Sequence, residues 1–282
     1  MRTSRALPGC GILPRSEIVT QGNPDELPPC IYLWPDRFFY LGPSFGTARH
    51  RHHAAQVLVG LDGPFRLRGD ASADWCRLYA ALIDTDTPHL ADATGTGMTA
   101  LYVEPESAVY AAMRKGDHFR AGALSPGLYD YSVSPDLHQA LNHARNQGAD
   151  CTAAWRLGLA LLRLQDELET APERDPRVEA ALSFIRGDYA GLDDLARRVH
   201  LSPSRLAHLF REQVGVAIRR YVLWARLRHA VQYALNRASL TETAHAVGFT
   251  DSAHLSNSFR QMFGLPPSFL FDRRIDLDVH LC

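Results

Sequence analysis

Between Leu192 and Gly264 the same local pattern occurs twice, and this duplication restricts the possible folds more than any other feature of the chain. In the first copy Leu192, Ala196 and Val199 fall at helical spacing, and after a short turn Leu206, Phe210 and Gly215 mark a second helix. The second copy repeats the arrangement with Leu240, Ala244 and Val247, then Leu255, Phe259 and Gly264. The offset is 48 residues before the turn and 49 after it, so the second turn is one residue longer. Two helix-turn-helix units in tandem follow directly.

The punctuation agrees. Ser202-Pro203 offers a capping hydroxyl and then a proline at the first helical position, where its missing N–H costs nothing. Gly248 sits where the second turn needs a left-handed residue, and Thr250-Asp251 offers a cap plus an acid at the positive helix end. Gly215 and Gly264 stop the second helix of each unit.

In such a unit the second helix enters the major groove, and its N-terminal and outward residues meet base edges. These are Ser204, Arg205 and His208 in the first copy, and Ser252, His254, Ser256 and Asn257 in the second. Arginine pairs with guanine O6 and N7, and Asn257 suits adenine N6 and N7. Arg211 and Arg260, each one residue after the repeated phenylalanine, are expected to clamp phosphates. The alternative for either one alone is a solvated surface charge worth under ~1 kcal/mol. Ala217–Leu235 reads as a single helix that spaces the two readers about one DNA turn, ~34 Å, apart.

The segments LDDLARRVHLSPSRLAHLFREQVG and SLTETAHAVGFTDSAHLSNSFRQMFGLPPSF resemble the DNA-binding domain of the AraC/XylS transcription regulators, over about residues 177–271. Leu255 replaces an aromatic usual in that family, and Asn257 stands where arginine is frequent. The resemblance implies operator DNA as partner, an upstream domain that senses a small molecule and forms a homodimer, and contact with RNA polymerase.

Charge is divided in the same way. Residues 1–176 hold 16 basic and 21 acidic side chains, residues 177–274 hold 14 and 8, and residues 275–282 add two acids. A basic domain at 177–274 behind an acidic one suits a polyanion bound by one half only. Five scattered cysteines without a C-x-x-C pair suggest a reducing compartment. No apolar run reaches signal or membrane-spanning length, so a cytoplasmic protein with no membrane partner is expected.

Upstream, residues 1–30 are punctuated by Pro8, Pro14, Pro24, Pro28 and Pro29 and read as an irregular arm, either disordered or lying across the next domain. Residues 31–170 form the expected sensing and dimerisation domain, with 171–176 as linker and 275–282 as tail. Short β-rich runs occur at Arg37–Leu41, Gln56–Leu61, Phe65–Arg68, Arg77–Ile83 and Met98–Val103, with Asp62-Gly63 as a hairpin turn. His50-Arg51-His52 places two imidazoles on one face of an extended strand. With Gln56, Gly63 and Pro88-His89 these residues resemble the motifs of the cupin barrels, glutamine standing where metal-binding cupins have glutamate.

The expected fold is therefore α+β: a small antiparallel cupin-like β-barrel followed by helices, then an all-α domain whose two helix-turn-helix units are joined by a long helix. His50, His52, Gln56 and His89, with Trp34, Phe39 and Tyr79, are the candidate effector-binding residues. No catalytic residue, metal or cofactor is assigned. Competing readings make the barrel a metal-dependent enzyme holding a first-row ion on the histidines, or a module that only dimerises or binds a protein. His53 breaks the alternation and is expected at the rim or surface. Helices are expected at Glu106–Lys115, Pro135–Gln147 and Cys151–Glu169, where Leu161, Leu164 and Leu168 either pair with a second subunit or are buried internally.

Overall fold

A computed structural model describes residues 28–44, 46–69, 74–117, 119, 122–164, 173–187, 189–235, 238–271 and 277–282. The expected N-terminal arm lies outside the described residues as far as residue 27, and so do residues 171 and 172 of the expected linker.

The chain opens with strands β1 (Cys30–Trp34), β2 (Arg37–Pro43), β3 (Ala55–Gly60), β4 (Phe65–Arg68), β5 (Cys76–Leu78), β6 (Ala80–Ile83), β7 (Leu90–Asp92) and β8 (Gly97–Val103). Helix α1 (Ala108–Lys115), the hairpin β9 (Ala123–Ser125) and β10 (Leu128–Asp130), and helices α2 (Pro135–Gln147) and α3 (Cys151–Leu161) complete this half. The strands form an eight-stranded sheet, β11-β1-β2-β8-β3-β6-β10-β9, and a three-stranded sheet, β5-β4-β7, where β11 (Asp278–Leu281) is the end of the chain.

The expected closed barrel is corrected by this order. Among the described residues the outer strands β11 and β9 do not pair, so the large sheet stays open and the small sheet packs on it. Asp62-Gly63 closes no hairpin either. It carries the chain from β3, which pairs with β6 and β8, into β4 of the other sheet. The run Arg77–Ile83 likewise breaks at Tyr79, its first part pairing with β4 and its second with β3.

Strand periodicity divides the large sheet into two faces. Tyr32, Trp34, Phe39, Leu41, Val57, Val59 and Leu101 pack beneath α1, α2 and α3 with Val109, Leu141 and Ala154. Ile31, Leu33, Tyr40, Leu58, Met98 and Ala100 face the small sheet, where Phe65, Leu67 and Leu78 meet them. Burial on both faces explains why the strands read as continuous apolar runs rather than as alternation.

Helix α3 ends earlier than its sequence suggests, at Leu161, with Arg163 in a left-handed conformation. Leu161 and Leu162 are buried in the sheet core and Leu164 packs against it, so internal packing accounts for the first part of the expected dimer edge. Leu168 lies outside the described residues. Cys151, at the start of α3, is bonded to Cys282 across 131 residues of chain, a pairing that the scattered cysteines do not suggest in the sequence. That bond and the parallel pairing of β11 with β1 return the end of the chain to the first half.

The second half is helical: α4 (Pro176–Gly187), α5 (Leu192–Arg198), α6 (Pro203–Val214), α7 (Ile218–Leu235), α8 (Leu240–Ala246), α9 (Ser252–Phe263) and α10 (Ser268–Phe271). Helices α5–α6 and α8–α9 are the two copies of the repeat. Ser202 caps α6 by accepting from the Arg205 N–H, and Asp251, rather than Thr250, caps α9 by accepting from His254. Gly215 and Gly264 end these helices in left-handed geometry. His200 takes φ 55° at the turn position where the second copy has Gly248 at φ 82°. The turn needs that conformation in both copies, and the first tolerates a side chain in it.

Candidate nucleic-acid interface and interdomain cavity

Within each unit, apolar residues at helical spacing bury the inner face: Leu206, Leu209 and Phe210 in α6, Leu255, Phe259 and Met262 in α9. The opposite face is polar. Ser204, Arg205, His208 and Arg211 are exposed on α6, and His254, Asn257 and Arg260 on α9, with Ser252 and Ser256 half-buried. Arg211, Arg260, His208 and Asn257 make no side-chain hydrogen bond or ion pair among the described residues, so their polar atoms point to solvent. Two of the expected readers are partly committed at home. Ser256 Oγ donates to the Ser252 carbonyl at 2.7 Å, and the His254 ring sits 3.1 Å from Thr250 Oγ1 and edge-on to Phe249.

The second unit rests on the sheet domain. The Ala48 N–H donates to the Gly264 carbonyl at 2.9 Å, and a Cβ on Gly264 would lie 2.7 Å from the Ala48 oxygen. Above the sheet, Phe38 stacks on Tyr102 with ring centroids 4.1 Å apart, and Trp224 and Phe263 close on Phe38 at 6.2 Å each. Beside this aromatic group lies a buried charged cluster. Glu104 pairs with Arg228, Arg186 and the Trp224 indole, while Glu106 meets Arg186 at 2.9 Å and His53 at 3.1 Å.

His53 is thus not at a rim. It is 2% exposed, against Tyr221 and Trp224, and links the sheet domain to α7. Burial, then the neighbouring Glu106, pushes the Glu104 carboxyl up to about 8, against the pull of Arg228 and Arg186. Burial opposes ionisation of Glu106 too, but its bond to His53 holds it well below the ordinary carboxylate range.

A cavity of about 90 Å³ lies in this seam. Its floor is two rows of the large sheet, set by register: Leu33, Phe38, Tyr102 and Gln56 in one, Ile31, Tyr40, Ala100 and Leu58 in the other. Its roof is Phe259, Phe263, Leu265 and Leu270 of the second reader, with Val231 and Arg228 of α7. The polar groups on this otherwise apolar wall are His50, His89, Gln56, Thr47 and Arg228.

The structure brings His50, His52, Gln56 and His89 together but not the three aromatics. His50 and His52 lie in the extended segment before β3 rather than in a strand, and His50 forms an isolated bridge with His89. Trp34 and Phe39 belong to the face beneath the helices, on the other side of the sheet from the cavity. Tyr79 is 67% exposed, at the break between β5 and β6. Parity along the strands separates these groups, and no feature of the sequence tells which parity faces the cavity. Burial pushes His50 down to about 3 and His52 to about 4, and His89 well below its usual value, so all three rings are neutral.

The helical half is thus a pair of helix-turn-helix units, the second of which forms the roof of a cavity in the β-rich domain. Residues 195–273 match the family model described as a helix-turn-helix domain. The arabinose operon regulatory protein of Escherichia coli (strain K12) is 30% identical over 139 residues, 46% of this chain and 48% of its own length. The Msm operon regulatory protein of Streptococcus mutans is 34% identical over 84 residues, 29% of this chain and 30% of its own. Over its C-terminal domain the chain is therefore similar to helix-turn-helix regulatory proteins.

The chain spans about half the length, or less, of these curated relatives. Of the solved structures, ToxT from Vibrio cholerae O395 is similar with a TM-score of 0.51 at 12% identity, covering 83% of this chain and 96% of that one. ToxT bound to (E)-4-(8-methylnaphthalen-1-yl)but-3-enoic acid gives 0.50 at 11% identity, covering 83% and 97%. At such identities the likeness is one of fold.

Proposed function

We propose that this protein is a ligand-responsive transcription regulator. Helices α6 and α9 read operator DNA in successive major-groove faces. Arg211 and Arg260 fix phosphates, and Ser204, Arg205, His208, Ser252, His254, Ser256 and Asn257 address bases. A homodimer, RNA polymerase as partner and a cytoplasmic location belong to the same reading, as does a cupin-like origin for the sheet domain, supported by the order of His50, His52, Gln56 and His89. The domain limits follow from it too: 31–170 for sensing and 177–274 for reading.

The observation that carries the coupling is the seating of Gly264 on Ala48. The cavity is smaller than the ~300–1,000 Å³ of ordinary ligand sites. A metabolite-sized effector must therefore displace its roof, and the roof is the second reader. The apolar wall with a few polar groups suits an amphiphile with an apolar body and an anionic head. The acid bound to ToxT in the structure named above has those two parts.

The test is selection of duplexes by the full-length protein, followed by titration with a panel of amphiphilic carboxylates. Selected sites with two motifs about one helical turn apart, and an affinity changed about fivefold or more by a panel member, are expected. Indifference to duplex DNA at low ionic strength would overturn the DNA-binding reading, and an affinity untouched by the whole panel would overturn the choice of effector class.

A further inference from the structure

At the edge of the large sheet β11 pairs with β1 in parallel, which sets Asp278 beside Cys30 and His280 beside Tyr32. Residues two apart on a strand point to the same face, and neighbouring strands lie ~4.8 Å apart, so this register gathers Cys30, Asp278 and His280 on one side of the sheet. The side chains meet there. One ligand atom of each, the Cys30 Sγ, an Asp278 carboxylate oxygen and a His280 ring nitrogen, lies within 4.8 Å of the other two. The face is the one turned to the helices, where Cys30 packs against the core that holds Tyr32 and Trp34.

His280 Nε2 stands 3.1 Å from Asp278 Oδ2, and the ring lies flat on Tyr32 with centroids 4.7 Å apart and planes 8° from parallel. The imidazole therefore has a fixed orientation. An Asp–His ion pair accounts for those two residues but not for the thiol beside them, which gives its proton to the Pro28 carbonyl at 3.4 Å. A thiol and a carboxylate held together do little for each other. A cation between them takes the thiol as thiolate and neutralises the carboxylate at once.

We propose that Cys30, Asp278 and His280 bind a zinc ion at the edge of the large sheet, with water as the fourth ligand. Thiolate, imidazole and carboxylate together are a donor set that selects zinc over magnesium or calcium. The two anionic ligands cancel the charge of the ion, and the thiol proton goes to solvent. With bonds of ~2.0–2.2 Å to nitrogen and oxygen and ~2.3 Å to sulfur, a tetrahedral ion needs its ligands about 3.4–3.6 Å apart. The Asp278 and His280 atoms are already near that spacing, and Sγ has roughly an ångström to close. Asp278 is exposed, which gives the ion its way in and leaves the fourth position to solvent.

The site pins the start of β11 as the Cys151–Cys282 bond pins its end. A four-residue strand at a chain end frays unless it is tied down, and β11 is the return of the chain from the second reader to the sheet.

Full-length protein, kept free of reductant so that the Cys151–Cys282 bond stays intact, is alkylated with iodoacetamide with and without Zn²⁺, and the rate at each cysteine is followed by peptide mass spectrometry. Zinc should slow Cys30 about tenfold or more and leave Cys76, a half-exposed free thiol like Cys30, unchanged. Asp278→Asn and His280→Gln, each checked for folding by circular dichroism and for the intact disulfide, should lose most of that protection. Co²⁺-loaded parent should show a near-ultraviolet thiolate-to-cobalt charge-transfer band, which imidazoles and carboxylates alone do not give and which Cys30→Ser should abolish. If neither Asp278→Asn nor His280→Gln folds with its disulfide intact, the parent band and its loss in Cys30→Ser decide. Cys30 alkylation that zinc does not slow overturns the site, and so does protection that survives undiminished in both folded variants, or a parent without the cobalt band. None of these readings involves DNA, so the site stands or falls apart from the regulator proposal.

Discussion

The indole Nε1 of Trp224, in the helix between the two readers, donates to Glu104 Oε1 at 2.9 Å, joining α7 to the residue that follows β8. Both side chains are 1% exposed. The carboxyl also takes Arg228 and Arg186, so the two halves of the chain meet through a buried acidic group whose partners come from the other half.

Above about pH 8, where Glu104 is ionised, removing Arg228 leaves its charge short of its main partner. Breaking a buried pair by deleting one side costs ~3–5 kcal/mol, and the remaining Arg186 places Arg228→Ala at the lower end. Arg228→Met combined with Glu104→Gln removes both charges and should lose clearly less. Urea denaturation compares them, and equal losses would show that the pairing contributes nothing particular.

The same carboxylate gives a pH signature. Its folded value, pushed up to about 8 by burial and by Glu106, lies above its ordinary 4.5. The native state therefore holds a proton that the unfolded chain has released, and stability falls as pH rises through that interval. Glu106 is shifted the other way and acts only below its ordinary value, and Arg186, Arg228 and Trp224 also face Glu104. Between pH 7 and 8.5 the melting temperature should decline, and Glu104→Gln should flatten the decline. A parent that is level over that range would refute the assignment.

Gly264 and Gly215 form a matched pair. Both are left-handed, at φ 71° and 82°, but a Cβ at Gly264 would meet His50 Nδ1 at 2.6 Å and Ala48 oxygen at 2.7 Å, whereas one at Gly215 meets nothing within 4 Å. Gly215→Ala should cost only the ~1–2 kcal/mol of the conformation. Gly264→Ala should cost more and should loosen the seam, read by faster amide exchange at residues 47–50. Equal costs would remove the case for a seated second reader.

On DNA, Arg211→Ala or Arg260→Ala should weaken binding to all duplexes alike and reduce the salt slope by about one. His208→Ala or Asn257→Ala should instead change which sites are selected, and an identical consensus for variant and parent would count against base contact.

Reduction of Cys151–Cys282 releases a constraint on 131 residues of chain. Chain entropy puts its contribution at ~4–5 kcal/mol, so dithiothreitol should lower the unfolding midpoint, and Cys151→Ala should be low from the start and insensitive to reductant. A midpoint that does not move would mean that β11 alone holds the end of the chain.

How far the sequence spoke depends on the range of the interaction. Leu192 to Gly264 could be read because helical spacing, the Ser202 cap and the Gly215 and Gly264 stops act within a few residues. Only one detail there was misplaced, the α9 cap, which is Asp251 itself. The histidines and Gln56 form a group through their resemblance to the cupin motifs, but Trp34, Phe39 and Tyr79 are not separable from them in the sequence, because hydrophobic strand residues look alike whichever face they serve.

What the residues determined alone is therefore the duplicated helix-turn-helix unit and its outward polar face. Those properties rest on periodicity and on torsional preferences of single residues. The tertiary structure decided that the sheet stays open, that His53 and Glu104 are buried in a seam, that Cys282 meets Cys151, and that α9 forms the roof over the histidines. Each of those depends on groups 53 or more positions apart being brought together by the burial of apolar surface, a force that carries no directional mark in the local sequence.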